Sequence, residues 1–173
     1  MTRSLPFVGA ALGGALVLAL VLALTGGGDA KPAATKTWNA PDGSYSIAAP
    51  QGWKAVASGS AATVLERADK RGVVVIRERA AVTGPLDALA AGLEKKLRSQ
   101  FSDFEPAGTR LTTVDGAERL VYTFVRTGAN QVQSVVVAPA GNRSYTLDLV
   151  ADGDAPDVAR ELAGMVRSFA PKR

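Results

Sequence analysis

Hydrophobic residues alternate with polar ones along several short stretches of the chain, and turn-forming residues separate these stretches. Such alternation is typical of strands that face a core on one side. The most strongly β-branched stretch is 73–79, where four β-branched residues precede Arg77, Glu78 and Arg79. The pattern predicts strands at 44–49, 62–67, 73–79, 111–114, 119–126, 131–138 and 144–150, with a short extended piece beginning at Trp53.

One segment in the middle of the chain has helical spacing instead. Its apolar residues recur at steps of three and four, which places them on one face of a helix: Leu86, Leu89, Ala90, Leu93, Leu97 and Phe101. Pro85 is suited to the first turn, so the pattern predicts that Thr83 or Gly84 caps this helix.

The C-terminal segment predicts a second helix. Pro156 lies in its first turn, and the apolar face runs from Val158 to Phe169. Asp154 stands near the cap position, and we interpret the acids at 152–157 as groups that favour a helix N-terminus. A calcium loop would require Glu at its twelfth position, where this chain has Ala163.

The order of these elements indicates the fold class. Strands follow one another along the chain, with one helix in the middle and one at the end. This order predicts an α+β domain, in which two helices pack on an antiparallel β-meander sheet. Both faces of 119–126 carry apolar or β-branched residues, so we expect a central strand there.

The N-terminal residues 5–24 carry no charge, and their 20 residues would span roughly 30 Å as a helix. Two interpretations remain open, an uncleaved transmembrane anchor and a signal peptide cleaved after a small residue such as Gly27 or Ala30. The length favours the anchor. Positive groups flank the span equally, and the short N-terminal tail favours an extracytoplasmic domain.

Three regions are therefore predicted. Residues 1–24 form the anchor or signal peptide, and 25–37 form a flexible linker rich in Gly, Ala, Thr and Lys. Residues 38–173 form the folded domain, which we expect at the cell membrane on the extracytoplasmic side, or secreted if the signal is cleaved.

Cys and His are absent from all 173 residues. Their absence excludes disulfides, Cys- or His-ligated metals, a Cys nucleophile, imidazole bases and lipidation at a Cys after the apolar span. The net charge is +4, but residues 38–173 hold 17 basic and 15 acidic side chains. This balance argues against nucleic acid as a partner. We expect no catalytic residues, no cofactor and no metal site.

Basic residues cluster in the predicted hairpin around 62–79. A face that binds an anionic partner or lipid headgroups would explain them, and so would a solvated strand edge that charges protect against sheet pairing. The candidate partner-binding residues are Arg67, Lys70, Arg71, Arg77 and Arg79.

Short motifs at both ends of the domain resemble the Mog1/PsbP-like family. Tyr45-Ser46-Ile47, followed by Pro50-Gln51-Gly52-Trp53, is similar to the family's entry motif, and 165–169 is similar to its closing helix. The resemblance covers about 38–171. Independently of any family, Pro50 and Gly52 favour a turn, and Trp53 suits the edge of a core.

The resemblance implies an α/β/α sandwich with a binding or accessory role and no shared catalytic residues. The family includes exported LpqN-type lipoproteins, periplasmic DcrB-like proteins and extrinsic subunits of photosystem II. This chain lacks the Cys of the lipoprotein members, so anchoring would depend on residues 5–24.

Three functions remain open from the sequence. The first is a membrane-tethered accessory or scaffold domain that binds other cell-envelope proteins. The second is a module that binds a lipid or small ligand in a cavity between sheet and helix. The third is a hydrolase, which would need two close, buried, unpaired carboxylates in a cleft.

Overall fold

The computed structural model describes residues 35–58 and 62–172. The predicted anchor at 5–24 and most of the predicted linker lie outside these residues. The described chain forms ten strands: β1 Thr35–Asn39, β2 Tyr45–Pro50, β3 Trp53–Ser58, β4 Thr63–Arg67, β5 Gly72–Ala80, β6 Phe104–Val114, β7 Ala117–Arg126, β8 Gln131–Ala140, β9 Arg143–Asp152 and β10 Ala170–Pro171. It also forms two helices, α1 Ala88–Gln100 and α2 Pro156–Ser168.

Two antiparallel sheets organise these strands. The large sheet has the order β3-β4-β5-β9-β8-β7-β6, and the small sheet has the order β1-β2-β10. In the large sheet, β3 to β5 form one meander and β6 to β9 form another. The link through α1 carries the chain to the far edge, and the second meander returns until β9 pairs with β5. The predicted α+β class is therefore confirmed, with a second small sheet added.

The large sheet is the middle layer of a sandwich. On one face, Leu65, Ile76 and Leu147 pack with α2 and with Ile47 of the small sheet. On the other face, α1 covers part of the sheet, where Leu97 belongs to a cluster with Tyr122, Phe124 and Val135. Successive side chains of β7 point to opposite faces of the large sheet and contribute to the core on both sides. The strand is therefore buried along most of its length. The expected burial of this strand is confirmed.

The start of α1 differs from the sequence prediction. The helix begins at Ala88, and Asp87 caps it, since its side chain accepts a hydrogen bond from the Ala88 amide at 2.9 Å. Gly84 has a φ of +91°, which lies outside the helical region. The predicted cap at Thr83 or Gly84 was therefore wrong. The turn before the helix instead buries Leu86 in a cluster with Leu120 and Val137.

The N-terminus of α2 also differs from the prediction. The residue at the cap is Ala155, and no side chain caps the helix. Asp154 lies one residue too early and pairs with Arg71, at 2.6 Å between Nη2 and Oδ1. Pro156 does lie in the first turn, as predicted. The acid near the cap thus serves a tertiary ion pair, which holds the β4–β5 turn against the start of α2.

Among the described residues, no helix is both long enough and apolar enough to cross a membrane. The small sheet begins at Thr35, three residues before the predicted start of the folded domain. Trp38 pairs with Ile47 of β2 and packs against the core. The folded part thus includes the last residues assigned to the linker.

Gly72 is the point where β5 passes beneath Trp53 and α2. A Cβ at this position would lie 2.6 Å from Val158 Cγ1 and 2.8 Å from Trp53 Cη2. We expect Gly72→Ala to lower the free energy of unfolding by about 1–3 kcal/mol, because an extra methyl overpacks a filled core. Urea unfolding followed by circular dichroism measures the change.

The same substitution elsewhere provides the control. Gly92 lies inside α1, and a Cβ there would meet nothing within 4 Å. Gly92→Ala should raise the free energy of unfolding by about 0.5–1 kcal/mol, because Ala favours the helix. Opposite signs are expected for the two variants. A neutral Gly72→Ala would contradict the close packing at Trp53.

Tyr122 links α1 to the sheet without a hydrogen bond. The residue is 2% exposed, and its hydroxyl has no hydrogen-bond partner among the described residues. Burial, reinforced by the neighbouring Glu94, raises the pKa of Tyr122 from 10.0 to about 12. Because the unfolded chain ionises first, this tyrosine should make the protein less stable as the pH rises from 10 towards 12.

We expect Tyr122→Phe to change stability little at pH 7 and to lessen the loss of stability between pH 10 and 12. Urea unfolding at a series of pH values measures both effects. Tyr145→Phe is the contrasting variant, since the Tyr145 hydroxyl donates to Glu78 at 3.3 Å and its removal should cost stability at pH 7. If Tyr122→Phe loses as much stability between pH 10 and 12 as the parent protein, the raised pKa of Tyr122 is contradicted.

Candidate partner-binding surfaces

Arg67 holds the β4–β5 hairpin against α2. Its guanidinium lies 2.7 Å from Asp157 Oδ2 and 3.1 Å from Glu161 Oε2. The indole N–H of Trp53 donates to the same Glu161 carboxylate at 2.8 Å. Only 19% of the Arg67 side chain is exposed. This predicted binding residue therefore already pairs with acids of its own chain, and the contacts include the tryptophan of the Pro-x-Gly-Trp motif.

Arg71 has a similar arrangement at the hairpin turn. It lies 2.6 Å from Asp154 and 3.6 Å from Asp152, measured between side-chain nitrogen and oxygen. The hydrogen bond that Arg71 donates to Asp154 raises the pKa of Arg71. Burial alone would raise the pKa of Asp157, but the hydrogen bond and charge of Arg67 lower it overall. The two arginines thus neutralise the acids that the sequence places around the start of α2.

Of the other three predicted residues, Lys70 lies in the same turn as this pair, whereas Arg77 and Arg79 lie apart from it. Arg77 and Arg79 alternate with the buried Val74 and Ile76, so they face the opposite side of the sheet. Arg77 forms an ion pair with Asp148 of β9. Arg79 and Lys70 form no ion pair within residues 35–58 and 62–172, and Lys70 lies at the tip of the turn with a φ of +64°. The five residues do not form one patch, and whether they bind a partner stays a prediction.

The sequence did not reveal an uncovered apolar face on the large sheet. In the two hydrophobic clusters on its side of the large sheet, α1 contacts β6, β7 and β8. The same side of β4, β5 and β9 instead carries partly exposed valines. Register places Val64 beside Val75 and Val73 beside Val150. We call Val64, Val73, Val75 and Val150 the open valine face.

Charged side chains surround the open valine face. The Arg77–Asp148 ion pair lies next to Val75 in the strand register, and Arg79 extends the same row of β5. Val56, on the neighbouring edge strand β3, is 48% exposed. An apolar centre with a charged rim is typical of surfaces that bind proteins.

Two pockets of the described chain are open to the surface. One groove, of about 80 Å³, lies along β6 and β7, next to Arg110, Thr112 and Thr123. A second, wide and open, has about 600 Å³ and is lined by Asp42, Glu78, Arg79, Ala80, Asn142 and Arg143. Neither lies between the sheet and a helix, where the ligand-binding hypothesis places its cavity. The first is also smaller than the roughly 300 Å³ of an ordinary ligand site.

The carboxylates that lie near one another are paired with arginines. Asp157 and Glu161 share Arg67, Asp152 and Asp154 share Arg71, and Asp103 pairs with Arg126 at 2.5 Å. No group of three or more acids within the described ranges is placed to hold a metal ion. The described residues therefore lack the two close, buried and unpaired acids that the hydrolase hypothesis requires.

Comparison with known proteins identifies the fold. No family model matches the chain, and no curated protein matches it. The chain is similar to the solution structure of cyanobacterial PsbP (CyanoP) from Synechocystis sp. PCC 6803, at 18% identity over 86% of this chain and 98% of that one, with a TM-score of 0.62.

Two crystal structures are also similar. One, from Bacteroides thetaiotaomicron VPI-5482, is 13% identical, with 80% of this chain matching 48% of the other at a TM-score of 0.55. PA94 from Pseudomonas aeruginosa, a protein of unknown function, is 14% identical over 80% of this chain and 98% of its own, with a TM-score of 0.52. At these identities the likeness shows the fold alone, so the described domain has the α+β fold of Mog1/PsbP-like proteins.

Proposed function

We propose that this protein is a non-catalytic accessory domain of the cell envelope, which binds other envelope proteins through the open valine face. Residues 5–24 tether it to the membrane, with the domain on the extracytoplasmic side. In this role it would act like the exported LpqN- and DcrB-type domains that its motifs resemble. The observation that carries the proposal is the face itself, an apolar sheet surface that α1 leaves uncovered.

The energetics of the face suit a protein partner. The four valines of the face are partly exposed. Because full burial of a valine contributes at least about 1.5 kcal/mol, covering the exposed part of each contributes up to about 0.5 kcal/mol. The Arg77–Asp148 pair at the rim would help to fix the orientation of the partner. Arg79 has no acid of its own among the described residues, which favours a partner with a carboxylate at that side.

Site-specific photocrosslinking in intact cells tests this role. A photoreactive residue replaces Val75 or Arg79 in the full chain, and matched control positions are Lys95 on α1 and Arg160 on α2, both exposed. We expect the same partner to be captured from Val75 and from Arg79 but not from the controls. Equal capture from all four positions would contradict binding at this face.

A second set of variants tests whether the valines contribute. Val73→Thr combined with Val75→Thr keeps the shape of the face and removes apolar area. We expect capture from position 79 to fall about fivefold, which corresponds to about 1 kcal/mol. Val114→Thr, at a partly exposed valine of β6, is the matched control. Unchanged capture in the double variant would contradict the proposal.

Export has its own test. We expect protease added to spheroplasts to digest the folded domain, and a cytoplasmic marker to stay intact. Protection of the domain until the membrane is broken would contradict the proposed localisation.

A further inference from the structure

The large sheet has two edge strands, and they differ in how well they are protected. β3 carries Lys54 and a bulge between Ala55 and Ala57, both of which disfavour pairing with another strand. β6 has Pro106 and a bulge before Gly108, but these lie in its first half. From residue 109 to 114, β6 pairs regularly with β7 and has neither a proline nor a bulge.

The backbone groups that β6 offers on its open side follow from the hairpin. Val114 and Ala117 flank the two-residue turn Asp115-Gly116, whose φ values of +51° and +75° are those of a type I′ turn. Flanking residues of such a turn exchange both hydrogen bonds, and the pattern then alternates. The N–H and C=O groups of Thr109, Leu111 and Thr113 therefore point away from β7, where no described strand pairs with them.

The side chains of this segment also favour pairing. Leu111 is 40% exposed and, with Val56 of the other edge, is one of the two exposed large hydrophobic residues of the described chain. Thr109 and Thr113 are β-branched, which suits a strand. Arg110 is the one charged residue from Gly108 to Val114, and it has no ion-pair partner among the described residues. This edge therefore lacks most of the charge that usually prevents association.

We propose that the β6 edge binds a second copy of this chain, and that the two β6 strands pair antiparallel about a two-fold axis at Thr112. Such an interface is self-complementary, as closed dimers require. Leu111 of each copy then lies opposite Thr113 of the other, so the outward backbone groups of both strands hydrogen-bond to each other. The two large sheets join into one continuous sheet.

Charge selects this register over the neighbouring ones. An axis at Arg110 would set two arginines directly opposite each other, and an axis at Leu111 would leave them on a diagonal, both of which are unfavourable. With the axis at Thr112, Arg110 lies opposite Val114 of the second copy, immediately before its Asp115 carboxylate. The segment thus supplies the acid for its own unpaired arginine, which favours self-pairing over an unrelated strand.

The absence of Cys makes a direct test possible, because two copies of a single-cysteine variant can be linked by a disulfide only through the introduced position. Thr112→Cys would place two Cα atoms about 4.5 Å apart in a non-hydrogen-bonded pair, within the range of roughly 4.4–6.8 Å seen in disulfides. The full chain is oxidised in native membranes, and the disulfide-linked dimer is measured on non-reducing gels.

Two single-cysteine variants serve as controls. Arg110→Cys would place its two copies about 14 Å apart along the paired strands, too far for a disulfide. Ala55→Cys lies on the other edge strand and reports random collision in the membrane. We expect at least fivefold more dimer from Thr112→Cys than from either control. Absence of that dimer, or equal yields from the three positions, would overturn the proposal.

A second substitution, at a residue other than the cysteine at position 112, completes the test. Leu111→Lys, added to Thr112→Cys, brings two ammonium groups close to the axis and should reduce the dimer at least fivefold. Val56→Lys is the matched control, since it alters the other exposed hydrophobic residue on the opposite edge. Thr112→Cys must unfold at the same temperature with and without Leu111→Lys, so that the loss of dimer is not a loss of folding. A dimer that survives Leu111→Lys would overturn the proposal. The outcome does not depend on the open valine face, because that face and this edge can be altered separately.

Discussion

Replacement of Arg119 by methionine is expected to lower the free energy of unfolding by about 3 kcal/mol. Arg119 is 2% exposed, and its guanidinium donates to the Val166 carbonyl at 2.5 Å and to the Phe169 carbonyl at 2.7 Å. Hydrogen bonds to a charged group contribute about 1.5–3 kcal/mol each, and part of this loss is offset because methionine needs no desolvation. Urea unfolding, followed by the fluorescence of Trp38 and Trp53, measures the change.

The location of Arg119 explains why the effect should be large. The side chain crosses from β7 to the end of α2, where the last carbonyl groups of a helix lack partners within the helix. A cation there also interacts favourably with the helix dipole. Burial lowers the pKa of Arg119, which shows that the charge is held at a desolvation cost. Without it, the Phe169 carbonyl would lose its bond to the guanidinium, and the Val166 carbonyl would keep only the hydrogen bond from the Phe169 amide at 3.4 Å.

Two further variants make the prediction specific. Arg119→Lys keeps the charge, but an ammonium group cannot reproduce the fork that reaches two carbonyls, so we expect an intermediate loss. Arg160→Met changes an exposed arginine of α2 and should alter stability by less than about 0.5 kcal/mol. An equally small effect at Arg119 would show that the buried contacts contribute little net stability.

The sequence predicted the central strands well because their alternation reflects burial on the α2 side. β5 and β9 have the clearest alternation of buried and partly exposed residues. β1 and β3 are exposed along almost their whole length, so no period marks them. The sequence pattern therefore places most of β1 in the linker. The order of the strands in the sheet could not be predicted either. The hydrophobic pattern of each strand is the same wherever the crossover through α1 places the strands that follow it.

The basic hairpin shows a different limit. Its arginines are close in sequence, but strand alternation sends Arg67 to one face and Arg77 to the other. A period of two could have revealed that separation. Arg67 has one local partner, Asp69. The other acids that pair with Arg67 and Arg71 come from beyond residue 150, and no local pattern connects them. Arg119 could not be recognised either, since a lone arginine at a strand start ordinarily faces solvent.

Phe169→Ala is expected to lower the free energy of unfolding by about 3–5 kcal/mol, since the truncation leaves a cavity in the core. Phe169 is fully buried, and its ring centre lies 5.2 Å from that of Tyr45 and 5.5 Å from that of Tyr145. These contacts join the small sheet, the end of α2 and the large sheet at one point. Phe169→Leu, which keeps most of the volume, should cost less than about 1.5 kcal/mol.

The double variant Arg119→Met/Phe169→Ala separates the packing of the Phe169 ring from its contacts with Arg119. The Arg119 guanidinium carbon lies 5.7 Å from the centre of the Phe169 ring, and the guanidinium also holds the Phe169 carbonyl. Because each side chain positions the other, removing both should cost less than the sum of the single losses, by about 0.5–3 kcal/mol. Urea unfolding of the two single variants and the double variant measures this coupling. Additive losses would mean that Arg119 stabilises the end of α2 through its hydrogen bonds alone, with no contribution from the aromatic cluster beneath it.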